Sequence, residues 1–521
     1  MKKLSMTFAT VCCSIALLTS CGVDNADNPV SPTYSDEPGY TILYYGHGGG
    51  NREYYYLNKI ADFYNASPDA LKRVNVVVQY KFSTTDNLYK QGYFSEDSSE
   101  DSCQIYGSKT IRWAIDPAKK FREQAFDPAS IYGAGNADLT SPDSLASFIN
   151  WAVKAYPAKK YMLIVHDHGG GYTPEAEMPE AQAAAAARRS LIGDDGISGH
   201  HFTAKSFRRA LTKANVRFET IFMDACLMNN LEYQFELYDL CDYIIAPTYS
   251  KPSIDGAYRV LPQVLGQPTM GIEQALNEYC KACVKSWDDA FKADDATPVY
   301  TDMTVTRTAN IPHLGKMLRE FTDRLCNTYT NGTDAQRAAI DYCTASATKV
   351  QLNQANYDAV KYVRSIVTAL PEVYGDDFFN QMGDAFNNCI AAQYFSRYLT
   401  MHKYMVDYSV LLGAEGAYAY TFWKNDLYTD NKVPYAAYIF SDNGDMQLYK
   451  LTQTEDPGYY SADPVGDISK WGSTLADTYE QLTFDRIVGW SRWLRLNKQW
   501  PNMFCPKDLN FELPMPKEEE M

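Results

Sequence analysis

The chain has 521 residues, enough for two or three domains, and its hydrophobic share of 45% belongs to a globular protein. It carries 64 acidic against 48 basic residues, a net charge of −16. That balance argues against nucleic acid and anionic membrane surfaces as partners, since both demand a positive face.

The N-terminus reads as an address. Lys2 and Lys3 precede an apolar run, Leu4 to Leu18, that is too short to span a bilayer as a lone helix. It ends in Leu18-Thr19-Ser20-Cys21, which resembles a bacterial lipobox, so Cys21 is the expected lipid-bearing residue. Acidic residues follow at once in the segment 22–27, as in lipoproteins exported to the cell surface. The expected location is therefore the bacterial outer membrane, at the cell surface, with membrane contact only through the lipid. Of the 12 cysteines, Cys12 and Cys13 leave with the signal and Cys21 is lipidated. Nine remain, and an odd count outside the cytoplasm leaves at least one thiol unpaired.

A polar stretch with Pro29, Pro32 and Pro38 follows as a tether. Strands are predicted at Thr41–Tyr45, Val74–Tyr80, Tyr161–Val165, Thr220–Met223 and Tyr243–Pro247, and a β-hairpin at Gln104–Ile115. Helices are predicted at Arg52–Tyr64, Asp143–Tyr156 and Lys205–Ala214, the second opened by Ser141-Pro142. Strands alternating with helices imply a mainly parallel sheet covered on both faces. Between Thr173 and Ala187 lies an Ala-rich segment ending in Arg188-Arg189, a pliable stretch of the kind where nicking concentrates. Beyond Tyr300 the pattern is mixed: a strand at Thr301–Ala309, helices at Leu314–Tyr329, Asp334–Val350 and Ala355–Ala369, strands at Gly416–Phe422 and Tyr435–Phe440, and a helix at Tyr479–Leu496.

Two apolar runs end in reactive side chains: YMLIVHDHGGGY delivers His168 and TIFMDACLMNN delivers Cys226. In open α/β sheets the carboxyl ends of strands carry the chemistry. A thiol and an imidazole brought to one sheet edge are a nucleophile and its base. Gly169 lets the backbone approach a substrate carbonyl, and the Gly169 and Cys226 N–H groups are candidate oxyanion donors. Asp224, two residues before Cys226, shares its strand face and is a candidate selector of a cationic side chain, or else a strand-end cap. His47 opens a Gly-rich turn, but no G-x-S-x-G elbow accompanies it. His166 with His168, and His200 with His201, admit a metallohydrolase as an alternative, though without an H-E-x-x-H motif. Cys280 and Cys283 have CxxC spacing in a helical pattern and read as small core residues. A non-catalytic, Tyr-rich surface lipoprotein that binds glycan or protein is the other alternative; it fits the 41 tyrosines.

The segment Trp151–Gly171 and the run Asp224-Ala225-Cys226-Leu227-Met228, with Glu232 and Asp242-Tyr243-Ile244 downstream, resemble the clostripain family of cysteine peptidases, relatives of gingipains, legumains and caspases. The resemblance implies a caspase-like αβα sandwich and a cysteine endopeptidase acting on protein or peptide substrates. It implies His168 and Cys226 as the catalytic dyad, and Asp224 as the acidic residue that favours cleavage after Arg or Lys. Asp255 is a second source of pocket charge, in a segment where Lys251 introduces an opposing one. Self-processing near Arg188-Arg189 follows by the same resemblance. Calcium, which some members need, has oxygen ligands available at Asp194 and Asp195, two residues that equally suit a solvated turn; no cofactor is required. The expected organisation is a signal peptide at 1–20, a tether at 21–39, the catalytic domain at 40–300, and a mixed α/β region at 301–521 that extends the catalytic sheet or packs as a second lobe.

Overall fold

The computed structural model describes residues 38–48, 53–85, 88, 106–126, 132–133, 135–169, 171, 191–193, 201–254, 256–291, 301–347, 356–401, 411–413, 435–440, 446–453, 460–464 and 482–497. Nine described strands form one sheet: β1 (Tyr40–His47), β2 (Val74–Lys81), β3 (Thr110–Ala114), β4 (Tyr132–Gly133), β5 (Lys160–His166), β6 (Phe218–Asp224), β7 (Cys241–Ala246), β8 (Asp302–Arg307) and β9 (Ile390–Phe395). Their order across the sheet is β9-β8-β7-β6-β5-β1-β2-β3-β4. The centre, from β2 to β7, is parallel, and β3, β4, β8 and β9 close the two edges with antiparallel pairs. The central strands are buried almost end to end because helices cover both faces.

Alternation along each strand divides the core in two. Leu43, Tyr45, Leu163, Val165, Ile221 and Met223 point to one face, where they meet α2 (Pro142–Ala155), α3 (Ala204–Ala214) and, farther along, α6 (Ile311–Asn331). Ile42, Tyr44, Met162, Ile164 and Phe222 point to the other, against α1 (Glu53–Phe63) and α5 (Ile272–Ala290). Local signals set the helix starts. Ser141 accepts from the Asp143 N–H with Pro142 at the first turn, and the side chain of Asn230 accepts from the N–H groups of Glu232 and Tyr233 to open α4 (Leu231–Leu237).

The five predicted central strands and three predicted helices agree with the structure to within a few residues. The expected hairpin at Gln104–Ile115 is instead one strand, β3, paired with β2 and β4; Gln104 and Ile105 lie outside the described residues. The predicted helix at Tyr479–Leu496 is, in its described part, two short helices, Thr483–Val488 and Trp490–Leu496, separated by Gly489 at φ 72°. The sheet continues past residue 300 through β8 and β9, while Gly416–Phe422 lies outside the described residues. No helix among the described residues is long and apolar enough to cross a membrane.

Candidate active site

β5 and β6 are adjacent and parallel, with His166 directly opposite Asp224. The chain leaves both strands at the same edge, and His168 and Cys226 each lie two residues beyond that register pair. There the two segments touch. A Cβ placed on Gly169 would lie 2.7 Å from Ala225 Cβ and 2.8 Å from the Cys226 backbone nitrogen, and would collide with the Cys226 carbonyl oxygen. Only glycine admits that approach. Leu227, next after Cys226, is buried with φ 63°, a left-handed conformation unusual for a branched side chain, so the turn after the thiol is sharp. Leu227 N–H donates to the Tyr249 carbonyl at 3.2 Å and Asn229 N–H to the Pro247 carbonyl at 2.9 Å, tying this turn to the loop after β7.

Cys226 is partly exposed, and its Sγ lies 3.3 Å from the Lys251 backbone nitrogen, which donates to it. The other described cysteines are also unpaired but are buried in the core; burial drives the Cys283 thiol up to about 12 and that of Cys280 well above its ordinary value. The CxxC pair is therefore packed and inert. The ring of Tyr56, on α1, sits 6.4 Å from that of His168 and 4.2 Å from that of His166. His166 is fully buried, hydrogen-bonded at Nδ1 to the Tyr44 hydroxyl, and burial holds its pKa well below the usual imidazole range. It is a neutral packed residue. His47 is likewise buried, at the end of β1.

Asp224, the candidate selector of a cationic side chain, is buried between two lysines. It is 2% exposed, with Lys251 Nζ at 2.7 Å from Oδ1, Lys59 Nζ at 3.6 Å from Oδ2, and the Tyr258 hydroxyl donating to Oδ2. Burial alone would raise its pKa; Lys251, then Lys59 and His166, outweigh burial and hold the carboxyl well below the usual range. Burial lowers Lys59 to about 7 despite the Asp224 charge, whereas the close Asp224 contact keeps Lys251 above its ordinary value in spite of burial. Two ammoniums around one carboxylate make a poor cation site, which removes the obvious acidic partner for a metal at His166.

Sequence reasoning missed Lys59, Tyr258 and Asp302. Lys59 lies on the apolar face of α1 with Tyr56, Ile60 and Phe63, and a lysine in that stripe was the available signal. Asp302 begins β8 and accepts from the Thr248 and Tyr249 N–H groups at 2.7 and 3.0 Å, fixing the loop that leads to Lys251. Cys21, Arg188, Arg189, Asp194, Asp195 and Asp255 lie outside the described residues.

The clostripain family model matches residues 44–427. The chain belongs to the clostripain family of cysteine peptidases. That membership decides against the glycan-binding and metallohydrolase alternatives. Among solved structures it is similar to a secreted C11 cysteine protease of Bacteroides thetaiotaomicron, "iotapain", with 13% identity and a TM-score of 0.50 over 69% of this chain and 88% of that one. A secreted C11 cysteine protease from the same organism, in complex with an irreversible peptide inhibitor, shows 12% identity and a TM-score of 0.50 over 87% and 99%. An inactive zymogen C11 protease of Parabacteroides distasonis shows 13% identity and a TM-score of 0.47 over 88% and 99%. No curated protein matches the chain. The two likenesses at a TM-score of 0.50 carry the fold, a caspase-like α/β sandwich.

Proposed function

We propose that this clostripain-family peptidase is an endopeptidase in which Cys226 attacks the scissile carbonyl and His168 takes the thiol proton and returns it to the leaving amine. The observation that carries this reading is the contact of the Gly169 backbone with Cys226, which joins the His168 and Cys226 segments at one sheet edge. The Gly169 and Cys226 N–H groups serve the oxyanion in this scheme. Lys251 N–H, aimed at Sγ, favours the thiolate.

Preference for Arg or Lys at P1 rests on Asp224, with Asp255 as a second acidic residue, and places the substrate cation where Lys251 Nζ now lies. Self-processing near Arg188-Arg189, lipidation at Cys21 and display on the outer membrane complete the proposal. Its partners are proteins or peptides, with the membrane met through the lipid alone. Calcium at Asp194 and Asp195 is an optional addition to which no catalytic step is assigned.

The test is turnover of peptide substrates by Cys226→Ala and His168→Ala, alongside mass spectrometry after treatment with an Arg-chloromethylketone. The expected result is a loss of about 10³-fold or more in either variant, with label on Cys226 alone. Substantial residual turnover in Cys226→Ala would reject the nucleophile. Cys226→Ala should also keep an intact chain if cleavage near Arg188-Arg189 is self-catalysed.

A further inference from the structure

One residue touches both the nucleophile and the buried carboxylate. The Lys251 backbone brackets the thiol, its N–H donating to Cys226 Sγ at 3.3 Å and its carbonyl 3.8 Å from the same sulfur. Its side chain, 4% exposed, runs inward to place Nζ 2.7 Å from Asp224 Oδ1. In the P1 reading above, a substrate lysine would make the same two kinds of contact, its backbone at the thiol and its ammonium on the carboxylate.

Resting on the P1 reading above, we propose that Lys251 is a specificity-determining residue: a tethered cation that holds Asp224 until a P1 Arg or Lys displaces it. Its attachment to the chain explains how it competes. A group linked a few bonds from its site has an effective concentration in the millimolar range or above. The apparent affinity of an external ligand falls by the fraction of molecules in which the site is vacated. Lys59 does not play this part. It projects from α1 within the core, 6.0 Å from the Tyr258 ring centroid, and approaches the other carboxylate oxygen. Lys251 lies in a surface loop. That loop is held at Tyr249 by Asp302, and at Ile254 by the Trp287 indole N–H, which donates to its carbonyl at 3.0 Å. The residues from Ser250 to Ser253, between these fixed ends, are partly exposed. The neighbours facing Asp224 are Lys59, Lys251, Tyr258 and His166, and Lys251 is the one on such a loop.

Binding to catalytically silent protein tests this directly. Two fluorescent peptides, identical except for Arg or Met at P1, are titrated into Cys226→Ala and into the same protein carrying Lys251→Met or Lys251→Arg. Lys251→Met should bind the Arg peptide about tenfold tighter, while the Met peptide changes by less than about threefold and Lys251→Arg behaves as its parent. A second measurement needs no change at Lys251. Reductive methylation of the Cys226→Ala protein, read by mass spectrometry, should find Lys251 protected alone and with the Met peptide, and modified when the Arg peptide is bound. If the parent already prefers the Arg peptide, Lys251→Met adds nothing and Lys251 stays protected, the tethered-cation proposal falls while basic P1 selection stands. If no variant distinguishes Arg from Met, both fall.

Discussion

Asp224 and Asp302 lie at the same edge of one sheet, because β8 runs antiparallel to β7 and so begins where β6 ends. Both are at most 2% exposed. They resolve the cost of burial in opposite ways. Asp224 is met by two ammoniums and stays ionised far into acid. Asp302 is met by no cation among the described contacts and accepts from two backbone N–H groups and the hydroxyls of Thr248 and Thr304. Burial outweighs those neutral donors and raises it to about 6. At Asp302 the neutral donors satisfy the lone pairs without offsetting the loss of water around the ion, whereas at Asp224 the nearby positive charge does offset it. The first carboxylate belongs to the electrostatics of the site; the second is a clasp for its loop.

The sharpest way to break this contrast is Asp224→Ala, which leaves the buried amines of Lys251 and Lys59 without their shared counter-charge. Its expected cost is ~3–5 kcal/mol of unfolding free energy in urea titration, the range for breaking a buried pair from one side. Asp302→Ala should cost less, about 1–3 kcal/mol, since it strands hydrogen-bond donors without stranding a charge. It should also change the KM of peptide substrates by freeing the loop before Lys251.

Acid titration separates the two carboxylates by sign. Asp302 binds its proton more tightly folded than unfolded, so stability should fall as pH rises from about 3.8 to about 6, and Asp302→Asn should abolish that slope. Asp224 contributes stability that is present above its ordinary value of 3.8 and lost as pH drops below it. A further effect is expected on the alkaline side. Lys59 gives up its proton around pH 7 in the folded state, while the unfolded chain keeps it to about 10.5. Stability should therefore rise across that window, and Lys59→Met should flatten the rise in thermal melts.

The central strands were legible because they are continuous apolar runs bounded by polar turns, the pattern of a parallel sheet buried on both sides. The edges were not. β4 has two residues, and β9, Ile390–Phe395, directly follows α7 (Pro371–Cys389), so neither stands out from its surroundings. The same limit applied at the site: His168 and Cys226 announced themselves at the ends of two runs, while Lys59 looked like one more surface charge on a helix.

What the sequence by itself determined was which groups arrive at the sheet edge, since strand length and pleat fix where each run ends and which face its residues take. What the tertiary structure decided was the charge that Asp224 presents. Helix α1, β6 and the loop after β7 converge there, placing Lys59 and Lys251 on a carboxylate from which they are far separated along the chain. Electrostatic energy depends on distance and burial in space, and neither is written in the spacing of residues.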